Sequence, residues 1–573
     1  MAQSSTVRSL VQHYAPESGA AAKQRILLEL AQRLNIVVGE FAVGRPGLSG
    51  ELALDLDDAL IAGGDSRLRL DTTNRLNKYG TAPRPRPEAV QFSSSTASSI
   101  SEHSYALCGE LLATLQARAA DGREVGALQL DLADRIRAEI ACQIVPGSRG
   151  ADVVLAASGT DTEALTVLLS LAADERPITS LLMAPEESGR GVLLAGRGCW
   201  FDGCTARGAT VEAGTPIWPG RRIEVATVTI RGVTGRPRLP EDIGGDVLRL
   251  AHEALEREHR LLLHVLLGSK TGLTAPNFDL VRSIVRAAPE QVDVVVDACQ
   301  LRVSPSVLTG LVDEGWMLQV TGSKFFTGPP FSGALIVPSR LRGRAAAVGA
   351  LMAEAPALTG PEDWPAEWRS RWPTTGKVGS FGPLLRWTAA LAEGALLEPL
   401  DRTQGRLAFA RIAEALRKRV ADSPVLLGLR TPEFHMADLG EALPGLGSHA
   451  IIGFAIAPET ADGERPFWPL ADCQRAFELL NRDVRPRLSD LSDDEAALAG
   501  HLVHIGQPVQ LRPDVPTAPT VLRLVLGARF FTIVGYAEDH EKALQSQIDD
   551  ALLALDKLEL LIRHWDRLQP AAA

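Results

Sequence analysis

Between residues 101 and 338 short aliphatic runs alternate with helical patterns, and that alternation limits the fold more than any other feature of the chain. ADVVLAAS (151–158), SLLMAP (180–185), LLLHVLLG (261–268), VDVVVDA (292–298), WMLQVTG (316–322) and GALIVP (333–338) read as strands. Apolar residues at helical spacing predict helices over 161–173, 246–260, 278–288 and 306–314. Near-continuous apolar runs belong to strands covered on both faces, and strands separated by helices need crossover connections. The expected class is therefore α/β, with a mostly parallel sheet between helical layers.

The flanks read differently. Residues 1–100 form an irregular N-terminal segment with one helical pattern at 21–36. Pro83, Pro85 and Pro87 alternate with Arg84 and Arg86, which excludes a helix interior there. FSSSTASSIS (92–101) is too polar for a core; it reads as a linker, with a loop passing a ligand as the alternative. A Trp- and Pro-rich connector fills 339–385. Helices over 381–397 and on to 420, strands within 448–458 and 520–528, and helices over 470–482 and 538–567 suggest a smaller α+β unit. The expected division is 1–100, 101–385 as a large α/β domain, and 386–573 as a small α+β domain.

Composition narrows the partners. With 45% hydrophobic and 23% charged residues the chain is ordinary globular protein. The net charge, 59 − 70 = −11, argues against a nucleic acid backbone as ligand but leaves room for a local anion pocket. No apolar run reaches the ~18 residues of a membrane span, and the first residues lack a secretory h-region. Six scattered cysteines do not make a disulfide framework, so a cytoplasmic protein is expected.

Three motifs carry chemistry. In Ser158-Gly159-Thr160-Asp161-Thr162-Glu163, between a strand and a helix, Thr160 and Glu163 have capping-box spacing. The exposed N–H groups of such a helix start also suit a phosphate. Asp297 ends the apolar run Val294-Val295-Val296 at a strand's C-terminal end, where a carboxylate is a cap, a structural ion partner, or a ligand group at the sheet's edge. Lys324, in Thr321-Gly322-Ser323-Lys324-Phe325-Phe326-Thr327-Gly328-Pro329-Pro330, follows a strand and a turn. It is either a snorkelling surface lysine or a desolvated amine able to condense with a carbonyl. Anion cradle, acid and lysine, in that order and each at a strand's end, are the set that pyridoxal phosphate asks for.

SGTDTE, VVVDACQ and TGSKFFTGPP together resemble the fold-type I pyridoxal-phosphate enzymes, within them the class V aminotransferase and cysteine desulfurase group. The resemblance covers about 150–340. It implies a large domain built on a mostly parallel, seven-stranded-type sheet, a small C-terminal domain, pyridoxal 5′-phosphate as cofactor, and a homodimer. It implies Lys324 as the lysine that carries the cofactor, Asp297 as partner of the ring nitrogen, and Gln300 as partner of the ring hydroxyl. Ser158, Gly159, Thr160 and Ser323, with Thr321, would hold the phosphate, and Arg523 would grip a substrate carboxylate. Arg86, on the proline-rich segment, is the rival clamp. Thr374-Thr375-Gly376 resembles the loop that reaches a partner subunit's phosphate.

The chain departs from the family in two places. Pro185-Glu186-Glu187-Ser188-Gly189-Arg190 has no ring to stack on the cofactor, and His264 is a candidate only by its place on a strand. No mobile-loop cysteine is evident, since Cys473 reads as a buried structural thiol. Lys270 competes with Lys324 but lacks the Gly-Pro-Pro context, and His501 with His504 lacks a third metal ligand. The expected activity is pyridoxal-phosphate chemistry on a small-molecule amino acid or related amine, with transamination as first choice. A lyase or decarboxylase is the alternative, and a non-catalytic relative the rival from another class. No membrane or nucleic acid partner is expected.

Overall fold

The structure is a computed structural model and describes residues 18–39, 48, 50–189, 191–372, 379–429, 450–460 and 462–569. Its strands in chain order are β1 (Ala89–Phe92), β2 (Asp152–Ala156), β3 (Ile178–Met183), β4 (Ile223–Val228), β5 (Arg260–Leu267), β6 (Thr274–Ala275), β7 (Val292–Asp297), β8 (Met317–Thr321), β9 (Gly333–Val337), β10 (Leu426–Gly428), β11 (Ile451–Ile456), β12 (Leu502–Gln510) and β13 (Thr520–Val525). The larger sheet runs β2-β9-β8-β7-β5-β3-β4, with β6 paired to β5. Along that seven-stranded path only β9 runs against its neighbours. This is the mostly parallel, seven-stranded-type sheet that the sequence predicts.

The apolar runs explain the layers. Val294, Val295 and Val296 of β7 and all of β5 are buried, so both faces of the sheet are covered. Asp293, the inward carboxylate of the same run, is matched by Arg344 (2.9 Å) and Arg260 (3.3 Å). Helices begin where the sequence supplies a cap or a proline: Ser158 before Gly159–Leu171, Asn277 before Phe278–Ala287, and Pro240 and Pro305 at the first turn of theirs. The expected helix over 381–397 is Gly382–Leu397, buried along almost its whole length, and Arg402–Ala421 follows the break.

The second sheet has the order β1-β12-β13-β11-β10. Its first strand comes from the N-terminal segment, Ala89 pairing with Leu502 in parallel. The serine cluster that reads as a linker is instead interior, with Ser93, Ser94, Ser95, Ser98 and Ser99 all buried. Small hydroxyls can be buried when the backbone satisfies them. Ser93 Oγ donates to Ala97 O (2.7 Å) and Ser94 Oγ to Val525 O (3.2 Å). Arg386, with no exposed surface, donates to Leu60 O (2.8 Å), Ala62 O (2.7 Å), Gly63 O (3.0 Å) and Phe331 O (2.7 Å). It thereby ties the N-terminal segment to the loop after Lys324.

Candidate active site

Strands β2, β7 and β8 point the same way, so their C-terminal ends deliver the three motifs to one edge of the sheet. Ser158, Gly159, Thr160, Asp297, Thr321, Ser323 and Lys324 all line one cavity of about 820 Å³. That lies within the ordinary range for a small-molecule site. Asp297 stands level with Leu266 on β5 and Gln319 on β8, which fixes its place on the rim.

The turn before Lys324 needs a small residue. A Cβ on Gly322 would sit 2.3 Å from Ala390 Cβ of the Gly382–Leu397 helix. A Cβ on Gly333 would meet the Ser158 carbonyl carbon at 2.6 Å, so β9 passes against the start of the Gly159–Leu171 helix with no room to spare.

The helix cap differs from the expectation. Ser158, not Thr160, caps the helix, its Oγ accepting from the N–H of Thr160 (3.2 Å) and of Asp161 (3.3 Å). Glu163 is turned inward. Its carboxylate accepts from Gln319 Nε2 (2.7 Å) and lies 2.7 Å from His264 Nε2. His264 is thus a partnered core residue and does not line the cavity.

Asp297 Oδ1 accepts the Cys299 N–H (3.1 Å), and no cation among the described residues pairs with this carboxylate. The Lys324 amine, Nζ, likewise makes no hydrogen bond or ion pair with any described group; its backbone carbonyl accepts the Thr327 N–H (2.8 Å). Cys299, beside them, is inert as a thiol, because burial and then the Asp297 charge push it well above the ordinary cysteine range. Gln300 is corrected by the structure: it is buried and does not line the cavity. Its Nε2 donates to Ser95 O (3.3 Å) and its Oε1 accepts from Arg302 Nε (3.3 Å), so both ends of the amide are engaged.

Arg523, on β13, lines the cavity and is fully buried. Its Nη1 donates to Lys270 O (2.9 Å), and its Nη2 to Thr96 Oγ1 (3.3 Å) and to Gln507 O. Its Nε has no partner, and no described carboxylate pairs with it. Burial pushes its guanidinium down to about 9, only partly opposed by Glu187. Ser95 Oγ, also on the cavity wall, is buried and unpartnered. Polar atoms buried without partners are rare in finished interiors, and these two belong to residues that line the cavity.

Arg86 stands behind the wall instead of over it. Its Nη1 donates to Asn481 Oδ1 (2.8 Å) and Gly80 O (3.4 Å), and the cavity is lined by those two residues, not by Arg86. The clamp expected of it is therefore corrected to a prop. Lys270 lines the cavity on the loop held by Ser269 and Thr271, with Nζ 3.5 Å from Glu186 O. Thr374, Thr375 and Gly376 lie outside the described residues, as does Arg190. His504 is buried on β12, its Nε2 2.9 Å from Tyr79 O, and no metal-holding group of three occurs among the described residues. Cys473 is buried in the helix Leu470–Leu480, which pushes its thiol up to about 12.

Sequence reasoning missed Arg67 and Tyr79, which line the cavity from the N-terminal segment. Nothing in DSRLRL marks Arg67. Thr96 and Ser95 were signalled only by the alternative reading of their cluster as a loop passing a ligand.

No family model matches the chain, and no curated protein matches it. Solved structures similar to it include the S-sulfonic acid form of the cysteine desulfurase CsdA from Escherichia coli. That chain is 15% identical, with 83% of this chain and 95% of that one covered and a TM-score of 0.45. A NifS-like protein is 12% identical over 81% of this chain and 98% of its own, with a TM-score of 0.45. The cystine C-S lyase C-DES, in complex with cysteine persulfide, is 13% identical over 81% and 98%, with a TM-score of 0.48. At such values the likeness says nothing of chemistry, which rests on the cavity itself. No described helix is long and apolar enough to cross a membrane.

Proposed function

We propose that the chain is a pyridoxal-phosphate-dependent enzyme acting on an amino acid. One observation carries the reading: an amine and a carboxylate without counter-ions among the described residues, Lys324 and Asp297, share a cavity with a helix N-terminus and with Arg523, which no described carboxylate matches. The residues fit the cofactor. Lys324 would hold its aldehyde, Asp297 its ring nitrogen, and Ser158, Gly159, Thr160, Thr321 and Ser323 its phosphate. When bound, the cofactor supplies an electron sink for the pair released at a substrate Cα.

The chain's own residues do the rest. Asp297 keeps a proton on the ring nitrogen, because a carboxylate held at that spot favours the charged form of its partner. Lys324 Nζ would take and return the Cα proton. Arg523, through its charge and its unpartnered Nε–H, would fix the α-carboxylate and so orient Cα. Transamination is the reaction proposed first. None of these residues selects which Cα bond breaks, so the assay must also read lyase products. The assembly is a homodimer.

The test is a screen of amino acids against the purified protein loaded with pyridoxal phosphate. Expected are a visible absorption band, its shift by one class of amino acid, and an oxo-acid product. A borohydride-reduced link that maps to Lys270, or no band at all, would refute the assignment. Elimination products in place of the oxo acid would replace transamination by the lyase. Sedimentation as a fully active monomer would remove the dimer.

A further inference from the structure

Arg67 sits in the 3₁₀ turn Ser66–Leu68 of the N-terminal segment, some ninety residues before the cradle it meets. Its Nη2 donates to Ser158 Oγ (3.1 Å), and its Nη1 lies 3.5 Å from Thr160 Oγ1. Both hydroxyls belong to the start of the Gly159–Leu171 helix, and all three residues line the cavity. The guanidinium lies over two rings, Phe331 at 4.7 Å and Phe201 at 5.3 Å from its central carbon. Tyr79, lining the same wall, is half-buried next to it.

Two carboxylates accompany this cation. Asp65 accepts from Arg67 Nε (2.9 Å) and Nη2 (2.6 Å). Asp161 receives a hydrogen bond from Ser158 Oγ (2.5 Å), and burial, opposed by the Arg67 charge, pushes its carboxyl up to about 6. Neither Asp65 nor Asp161 lines the main cavity, whereas both line a small recess behind it together with Phe201. Arg67 is therefore gripped from the rear and presents its front edge, beside the helix start, to the open space. A cation fixed in this way loses little side-chain freedom when an anion arrives.

Building on the pyridoxal-phosphate reading, we propose that Arg67 is the cofactor's phosphate cation, supplied in cis by the N-terminal segment. The segment is then part of the cofactor site. Arg386 holds its preceding turn through the carbonyls of Leu60, Ala62 and Gly63, and so places Arg67.

The test compares pyridoxal phosphate with unphosphorylated pyridoxal, both titrated by the absorbance of the Lys324-bound aldehyde. Arg67→Gln should weaken pyridoxal phosphate binding by on the order of 10²-fold, as expected for removal of a charged hydrogen-bond partner. It should leave pyridoxal affinity unchanged, which also serves as the control for folding. Arg67→Lys should recover only part of the loss, since a point charge lacks the fork. An unchanged affinity ratio between the two aldehydes, whether both fall or neither does, would overturn the role of Arg67 and leave the enzyme reading standing. A wild-type protein that binds neither aldehyde at Lys324 would overturn the enzyme reading instead.

Discussion

Two buried arginines lie on either side of the loop Ser269-Lys270-Thr271, and their surroundings differ. Arg231 and Glu187 pair with no exposed surface on either side chain. Arg231 also donates to Gly235 O (2.7 Å) and Thr271 Oγ1 (2.7 Å), and Glu187 accepts from Ser269 Oγ (2.7 Å). Glu187 is held below the ordinary carboxylate range: burial alone would raise it, but Arg231 and the two hydroxyls outweigh that. Arg523 reaches the same loop at Lys270 O, yet meets only neutral oxygens and the cavity. A charge buried away from any cavity with its counter-ion in place is architecture; one without it, beside open space, is completed by what enters. Lys324 and Asp297 belong with Arg523 on the open side of this contrast.

That contrast can be broken experimentally. The largest effect is expected at Lys324. Lys324→Ala should remove the borohydride-reducible link entirely while thermal unfolding stays near wild type, and peptide mass mapping after reduction checks it. Asp297→Asn should lower turnover far more than cofactor affinity, because the charged ring matters most when Cα gives up its electron pair; equal losses in both would place Asp297 on the structural side.

Arg523→Ala should reduce kcat/KM by on the order of 10²–10³, about 2–5 kcal/mol, without recovery by Arg523→Lys. Arg231→Met should do the reverse, costing about 3–5 kcal/mol of folding stability by leaving Glu187 unpaired. Denaturant titration and kinetics on both variants decide, and a loss of stability at Arg523 equal to that at Arg231 would erase the distinction. Glu393 offers a pH version of the matched case. Burial pushes its carboxyl up, but His103 and Arg529 prevail and bring it down to about 2 from 4.5. Its contribution to stability, up to about 3 kcal/mol, is present above pH 4.5 and is lost as the pH falls toward 2. Glu393→Gln should flatten that part of the profile. Smallest of all, Arg86→Ala should change kcat/KM less than about tenfold, because Arg86 supports Asn481 and Gly80 from behind.

The cradle, the acid and the lysine were legible because each motif is local: a strand, a turn and the residue that follows it. Local sequence does not say who else wants the same atoms. Gln300 follows Asp297 as the family pattern asks, but Ser95 O and Arg302 Nε take both ends of its amide. Thr160 has capping-box spacing, but Ser158 stands two residues earlier and serves two N–H groups at once. Arg523 was legible from the strand around it. Arg67 was not, since its neighbours form a short polar turn and its partners at 158 and 160 are close only after folding.

The parallel pairing of β1 with β12 sets the order in which this protein can be completed. Ala89 must wait for Leu502, so the contact closes a loop of more than four hundred residues. Pairings between such distant segments form slowly, because the entropy of loop closure is spent before the contact returns anything. On a ribosome the large sheet, finished by Val337, can form long before β12 and β13 emerge. Until they do, the cavity lacks the wall that carries Arg523, and the serine segment has no Val525 carbonyl to bind. A nascent chain halted before Thr520 would therefore own Lys324 and Asp297 on a half-open cleft, and the closed cavity of the finished fold would exist only after β13 had joined it.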